Sequence, residues 1–435
     1  MRAPPTLAAV ITCVGALSLP ASPLFVTVRQ ADRLSTPFDL SAPSISADGR
    51  YIAFSSYARL VPSDTNDFSD IYVLDRPKNA VTLESPQGDG HAVHRDKVAP
   101  RISADGRFVA YEDVDERAPV DSMPIRVVVV RDRSDATTRI IQRATSMPNG
   151  PSRGAAISGN GRIVAFSSCA TNLTDEVDAN GTGEDVYTYD TSSGAIARVS
   201  LTTDGRQPVR GASFAPTISA DGRYVAFTST AALDSAETPP ATSKPVANIY
   251  LRDTRENVTT RVSVCCRGGL PNGGSYDAAI SGDGRYIAFV SEASNLAPRD
   301  DNGTSDVFLH DLETGVTSLI SRSVSGASAN GRSGHPAISA NGGVIVFQSE
   351  ASDMICGSRC DASSRDINLV SDVFMFETAT RAMTILSSGR VRWMEPSAAP
   401  AIDGTGGLVA FSSRHPVDAN DVGNDFDLFV RTLTR

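Results

Sequence analysis

One short phrase returns seven times along this chain and leaves few folds open to it. Its first copy reads Pro43-Ser44-Ile45-Ser46-Ala47-Asp48-Gly49-Arg50-Tyr51-Ile52-Ala53-Phe54: a small or Pro residue, Ile-Ser, an Asp-Gly type of turn, then an alternating strand ending in Phe. The phrase recurs with its Ile at Ile102, Ile157, Ile218, Ile280, Ile338 and Ile402, the last followed by Asp403 in place of Ser. Successive spacings are 57, 55, 61, 62, 58 and 64 residues, enough for one four-stranded sheet with its turns and too long for a leucine-rich or ankyrin repeat.

Within one period the residues alternate as strands do. The fourth copy carries Tyr224-Val225-Ala226-Phe227, then Asn248-Ile249-Tyr250-Leu251, then an alternating run over 259–264, while Asp221-Gly222 supplies the residue that tolerates positive φ at a hairpin. Helical spacing is almost absent. An isolated four-stranded blade exposes both faces, so the repeated Ile, Val and Phe are buried only when blades pack around an axis. The expectation is an all-β, seven-bladed β-propeller of four-stranded antiparallel blades. The seventh copy stops just after its third strand, whereas Leu24-Phe25-Val26-Thr27-Val28-Arg29 alternates like a fourth. An N-terminal strand is therefore expected to close the last blade and remove its open edge.

Residues 1–21 have a different character: Arg2, an apolar run over 7–19, then Pro20 and Ala21. That is the pattern of a secretory signal peptide, too short for a comfortable membrane span, and it predicts an exported protein whose residues 22–435 are the propeller domain. Cys13 follows Thr12 without a polar spacer, a poor match to a lipoprotein signal. Without the signal the chain loses one charged residue, Arg2, leaving 39 basic and 50 acidic residues, a net charge of −11. An acidic surface with no basic cluster argues against nucleic-acid binding, and a monomer with no membrane span is expected. In an oxidising compartment Cys356 and Cys360 are the first candidates for a bridge, Cys265-Cys266 pair vicinally or elsewhere, and Cys169 reads as buried filler. Cys356 and Cys360 lack the further ligands that zinc needs.

The segments Ile218-Ser219-Ala220-Asp221-Gly222-Arg223-Tyr224-Val225-Ala226-Phe227 and Ile280-Ser281-Gly282-Asp283-Gly284-Arg285-Tyr286-Ile287-Ala288-Phe289 resemble the WD40-like (PD40) repeat of the TolB-type propellers. The resemblance covers essentially residues 24–435. The family's usual Trp before Ser and Pro before Asp-Gly are replaced here by Ile and by Ala or Gly, which marks a divergent branch. It implies a fold more than a role, since members include periplasmic protein-interaction modules, propellers attached to peptidases, and lyases. No peptidase domain is expected in this chain.

A second motif sits between the second and third strands. It reads Asp64, Asn66 and Asp70 in the first copy, Asp178, Asn180 and Glu184 (then Asp185) in the third, Asp300, Asn302 and Asp306 in the fifth, and Asp366, Asn368 and Asp372 in the sixth; Asp418, Asn420 and Asn424 approximate it in the seventh. Oxygen ligands at alternate positions resemble the opening of a calcium loop, but no terminal Glu or flanking helices accompany them. The same residues also cap turns through their own backbone, so calcium ligation and turn capping both stand as readings, and repetition favours a structural role under either.

A special site belongs where one copy departs from the others. Three residues before the repeated Ile stand Ala42, Ala99, Gly154, Ala215, Asp277, His335 and Ala399. Asp277 and His335 occupy equivalent places in neighbouring blades, at the mouth of the expected channel. They read either as a carboxylate orienting a general base or metal-binding imidazole, or as a solvated ion pair. His91 and His94 lack the Glu and helix of a zinc protease motif, the single Trp393 reads as a partly buried ring or a stacking platform, and the insertions 235–247 and 354–368 lengthen two loops on the acidic face. The expected function is an exported, non-enzymatic propeller that binds a protein or cell-envelope partner through its loop-rich face. The alternatives are a polysaccharide lyase or hydrolase acting at the channel mouth, and a structural envelope module.

Overall fold

Each copy of the phrase folds as the first hairpin of an antiparallel sheet. In the fourth, strands Ser213–Ile218, Tyr224–Ser229, Asn248–Asp253 and Val258–Arg261 follow one another across the sheet. Six such four-stranded sheets stand in sequence with a seventh of three strands, Ser397–Ile402, Leu408–Ser413 and Asp427–Thr432. The structure, a computed structural model, describes residues 12–13, 26–27, 43–85, 95–115, 125–143, 146–234, 246–265, 269–355, 370–387, 397–413 and 427–433. Among them the only helical element is a single 3-10 turn, Arg76–Lys78, and no helix is long and apolar enough to cross a membrane. The fold is the expected seven-bladed β-propeller.

The turn of the repeated phrase is held by its own side chains. The Ser46 hydroxyl donates to Asp48 at 2.6 Å and accepts the Tyr51 N–H at 2.9 Å, so the Ser and the Asp together fix the hairpin. The departure in the seventh copy preserves this logic: Asp403 accepts the Gly407 and Leu408 N–H groups at 2.7 and 2.9 Å, with Thr405 donating to it. Glycine is needed for two reasons. Gly106 lies at φ +74° and Gly161 at φ +70°, and a Cβ on either would meet the preceding blade's Tyr51 or Phe108 ring at 2.2 or 2.1 Å. The ring after one turn is thus seated under the glycine of the next. In five blades the Arg after the glycine also pairs with the Asp ending the third strand, as Arg50–Asp75 at 2.9 Å and Arg107–Asp132 at 2.7 Å. Arg107 and the Ser134 hydroxyl hold Asp132 down to a pKa of about 2.

Seven apolar clusters form the core, one at each junction between successive blades. Second and third strands supply most of it, often through a facing aromatic pair such as Phe54–Tyr72 or Phe289–Phe308. One cluster joins Ile52, Phe54, Tyr72 and Leu74 of the first blade to Leu408, Ala410, Leu428 and Val430 of the seventh, so the ring closes through side-chain packing. The expected closing strand is not established. Of residues 24–29 only Val26 and Thr27 are described; they pair with Thr12–Cys13 and lie near Asp427–Thr432 without joining its sheet.

At one end of the ring the turns join one another. Ala47 N–H donates to Ala104 O, Ala104 to Gly159, Gly159 to Ala220 and Ala220 to Gly282, each at 2.9 Å, and Ala340 N–H donates to Gly404 O at 3.0 Å. Seven neighbours at strand-pairing separation enclose a ring roughly 6 Å in radius at the backbone. That end of the channel is a tight necklace of small residues. The described second-to-third-strand loops and connections between blades lie at the opposite end.

Candidate functional site at the loop-rich face

The innermost strands carry a register shift at the same place in six blades, between Val98 and Arg101 in the second and Gly334 and Ala337 in the sixth, for example. Such a bulge bends the strand, and its first residue takes left-handed backbone: Ala99, Gly154, Ala215, Asp277, His335 and Ala399 have φ between 50° and 64°. Left-handed backbone is costly for L-residues, yet it is repeated around the ring, so it belongs to the architecture. Asp277 and His335 therefore differ from their counterparts in side chain and not in backbone.

The two side chains meet. Asp277 Oδ2 accepts the His335 backbone N–H at 3.1 Å and lies 3.1 Å from the ring Nδ1. One carboxylate oxygen thus fixes both the backbone and the imidazole of the next blade. Hydrogen bonding to Asp277 raises the His335 pKa, although His335 is 65% exposed, which limits the strength of the pair. A cavity of about 360 Å³ opens beside them, lined by Tyr276, Arg332, Gln348 and Glu350 and by four serines. The serine hydroxyls are engaged elsewhere: Ser333 with Ser349, Ser349 with Arg332 O, Ser305 with Ser333 O and Ser371 with Ser397 O. The geometry provides an oriented imidazole facing water and, among the described residues, no serine prepared as a nucleophile beside it.

The acidic loops have a shared frame and individual fillings. The Asp opening the third strand accepts a hydrogen bond from a Ser fifteen residues on, as Asp70–Ser85, Asp185–Ser200, Asp306–Ser321 and Asp372–Ser387. That Ser also accepts the N–H of the residue after the Asp, so the carboxylate pins the connection to the next blade. Asn66 and Asn302 donate to Asp70 and Asp306 at 2.9 and 2.7 Å. In the third blade Asp185 fills this role, while Glu184 turns to Arg153 and Ser167. The serine partner went unnoticed in the sequence, although its fixed spacing was readable there.

The first acid of each loop is where the blades diverge. Tyr72 donates its hydroxyl to Asp64. In the third blade Gln207 bridges Asp178, Asn180 and Asp185 at 2.7–2.9 Å, and Arg198 stands 3.7 Å from Asp178. In the fifth blade Phe308 replaces the tyrosine and Leu319 the arginine, and Asp300 shares a hydrogen bond with Asp306. Both are buried, at 8% and 0% exposure. Burial first, with the Asp301 charge behind it, pushes Asp300 up to about 6; burial, with Asp300 adding to it against the hydrogen bonds from Ser321 and Asn302, pushes Asp306 up to about 7. Asp366, Asn368, Asp418, Asn420 and Asn424 lie outside the described residues. Among the described residues no three His, Cys, Asp or Glu side chains gather as a metal centre, so a cation in these loops would draw further ligands from carbonyls and water.

A third feature was missed in the sequence. The residue immediately before the repeated Ile is Ser44, Arg101, Ala156, Thr217, Ala279, Ala337 or Ala401: six small residues and one arginine. Arg101 lies in the field of Glu112, from its own blade, and of Asp277, from a blade three places round the ring. Burial pulls its pKa down. Glu112 itself accepts the Gly154 N–H at 2.7 Å and stands 3.3 Å from Arg126.

Cys169 is a free thiol whose pKa burial pushes up, which leaves it a poor nucleophile. Cys266, Cys356, Cys360, His91, His94, Trp393, residues 1–11 and 14–21 and most of both insertions lie outside the described residues.

No protein-family model matches this sequence, and no curated protein is similar enough in sequence to count as a relative. Solved structures resemble it in fold. An oligogalacturonate lyase in complex with manganese is 13% identical with a TM-score of 0.54, over 95% of this chain and 97% of that one. The propeller domain of the Trilobed protease from Pyrococcus furiosus is 13% identical with a TM-score of 0.53, over 90% and 92%. A putative TolB from Agrobacterium tumefaciens is 19% identical over 65% of this chain and 81% of that one, with a TM-score of 0.40, too loose for an argument. At these identities what is shared is the β-propeller fold.

Proposed function

We propose that this is an exported, non-enzymatic propeller that binds a protein or other cell-envelope partner through its loop-rich face. One observation carries the reading: the departures from the repeat open on that face, while the opposite face is used up by repetition. The turn end is tied by its Ser-Asp hairpins, Arg–Asp pairs and the necklace of backbone bonds. The other end presents the solvent-facing Asp277–His335 pair, its adjoining cavity and loops filled differently from blade to blade. Rigid scaffolds place recognition on such variable loops. The signal-like residues 1–21 support export.

The test is site-directed photo-crosslinking in the producing cell, with the crosslinker at Glu350 on the loop-rich face or at Glu313 on the turn face, both exposed. A discrete adduct in the envelope fraction from position 350 and none from 313 is expected. Equal adducts from both, or none, would remove the reading.

A second reading is kept by the Asp277–His335 hydrogen bond alone, which can orient a general base for a lyase or hydrolase acting on a polysaccharide. Turnover of a polyuronate abolished by His335→Ala would favour it.

A further inference from the structure

We propose that a groove on the flank of the ring, between the outer strands of the second and third blades, is a phosphate-binding site built from Arg139, Arg162, Asn160 and the Tyr189 hydroxyl. The inference goes beyond the partner-binding reading and does not depend on it.

The groove exists because one junction between blades is built in reverse. Beside the third-strand residue that faces the next blade, the outer strands carry Thr82, Ala197, Thr260, Ser318 and Thr384, but Arg139 in the second blade. From the other side, three junctions are spanned by an arginine of the following blade. Arg131 stands 3.7 Å from Glu84, while Arg252 and Arg431 donate to Thr202 O and Leu386 O. The third blade has Tyr189 at that place. Arg139 reaches across instead, its Nη1 3.3 Å from Thr191 O. A cavity of about 440 Å³ is left at this junction, with Arg107, Arg139, Asn160, Arg162 and Tyr189 among its walls.

The acceptors around this groove are used up and the donors are not. Asp132 takes Arg107 and the Ser134 hydroxyl, Asp135 takes the Thr137 N–H and hydroxyl, and Asp190 takes Arg162 and the N–H groups of Ser192 and Ser193. Arg139 is exposed and has no carboxylate partner among the described residues. Tyr189 is only 6% exposed, and its hydroxyl has no hydrogen-bond partner among the described residues, so a buried side chain brings an unpaired donor to the groove. Asn160 spends its oxygen on the Ser158 hydroxyl and the Arg162 N–H, which leaves its amino group available. In the four other copies with arginine after the turn glycine, Asp48, Asp105, Asp221 and Asp283 stand where Asn160 does. The one turn of these five without its carboxylate is the one at the groove. What the site lacks is an acceptor carrying negative charge. Guanidinium groups take phosphate through several charge-assisted hydrogen bonds. Donors supplied from two blades suit an oxyanion with three outward oxygens better than a flat carboxylate, which a single guanidinium fork already satisfies.

Free phosphate and a phosphate ester offer the same group. Isothermal titration of the full-length protein in a low-salt buffer without phosphate, with inorganic phosphate, glucose 6-phosphate, glucose and citrate as probes, separates these sources. Inorganic phosphate, glucose 6-phosphate or both are expected to bind, the tighter of them naming the source, with citrate weaker and glucose silent. Arg139→Met should weaken binding about tenfold or more. Arg139→Lys and Tyr189→Phe should weaken it only a few-fold, and Arg59→Met, on an outer loop of the first blade, should change nothing. Asn160→Asp restores the turn acid that four other blades carry, so it is expected to leave the melting curve intact while weakening binding severalfold through repulsion; it serves as the test should Arg139→Met fail to fold. No binding of either phosphate probe, binding unaffected by Arg139→Met or by Asn160→Asp, or citrate or glucose bound as tightly as the phosphate probes overturns the proposal.

Discussion

The buried pair in the fifth blade makes folding stability depend on pH with a definite sign. Asp300 and Asp306 stand at about 6 and about 7 in the folded protein against a usual 3.8. A carboxyl raised by folding binds its proton more tightly when folded, so stability falls as pH climbs past the unfolded pKa and the loss is complete above the folded one. For Asp306 the rise is roughly three units, or about 4 kcal/mol at 1.36 kcal/mol each, lost between about pH 4 and pH 8. Because two carboxyls share one proton, the loss belongs to the pair. Asp132, Asp190 and Asp311, each held near 2, contribute stability above the unfolded pKa that is complete by about pH 5, and this is common to wild type and a variant at Asp300. His335, raised by Asp277, contributes below its unfolded pKa and loses that as pH climbs, but its exposure keeps the effect small. The assay is urea unfolding followed by circular dichroism at pH 4.0, 6.0 and 8.5 in chelator, comparing wild type with Asp300→Asn. The amide removes the repulsion and can donate to Asp306, so the variant is expected to gain about 2–3 kcal/mol on wild type at pH 8.5 and well under about 1 kcal/mol at pH 4.0. Parallel profiles for the two proteins would refute the reasoning. The same experiment tests calcium: with the ion tenfold above its dissociation constant, each loop site would add about 1.4 kcal/mol at pH 8.5, and Asp300→Ala with Asp306→Ala should remove one site's share. No response to calcium, with the aspartate changes still destabilising, would leave turn capping as the role of these loops.

Two further outcomes follow from the ring. Gly106→Ala is expected to cost about 2–5 kcal/mol, because left-handed backbone and a Cβ 2.2 Å from the Tyr51 ring act together; Gly303→Ala, at φ +68° with nothing near, should cost only about 1 kcal/mol. Equal losses in thermal unfolding would show that ring seating adds nothing. Deleting residues 22–30 should lower the melting temperature of the whole ring if they supply the seventh blade's outer strand, and an unchanged melting curve would exclude that strand.

The blades were legible in the sequence because everything that makes one is local. Ser46, Asp48 and Gly49 shape a hairpin within a few residues, and Ile52 and Phe54 state which face is buried, so seven repetitions of the phrase sufficed to specify seven sheets around an axis. Even the pairing of Asp306 with Ser321 was written in a constant spacing. The site was decided by the ring. That Asp277 meets His335, 58 residues on, depends on equivalent bulges in adjacent blades standing side by side. That Asp300 is left facing Asp306 depends on Phe308 standing where other blades place a tyrosine, a loss that matters only once both acids are buried. Arg101 comes within the field of a carboxylate three blades away because a closed ring brings its innermost strands around one shaft. Hydrogen bonds and turns act over a few ångströms and are encoded by near neighbours in the chain, whereas burial and the electrostatic field sum over everything that surrounds a group, and only the assembled ring determines that.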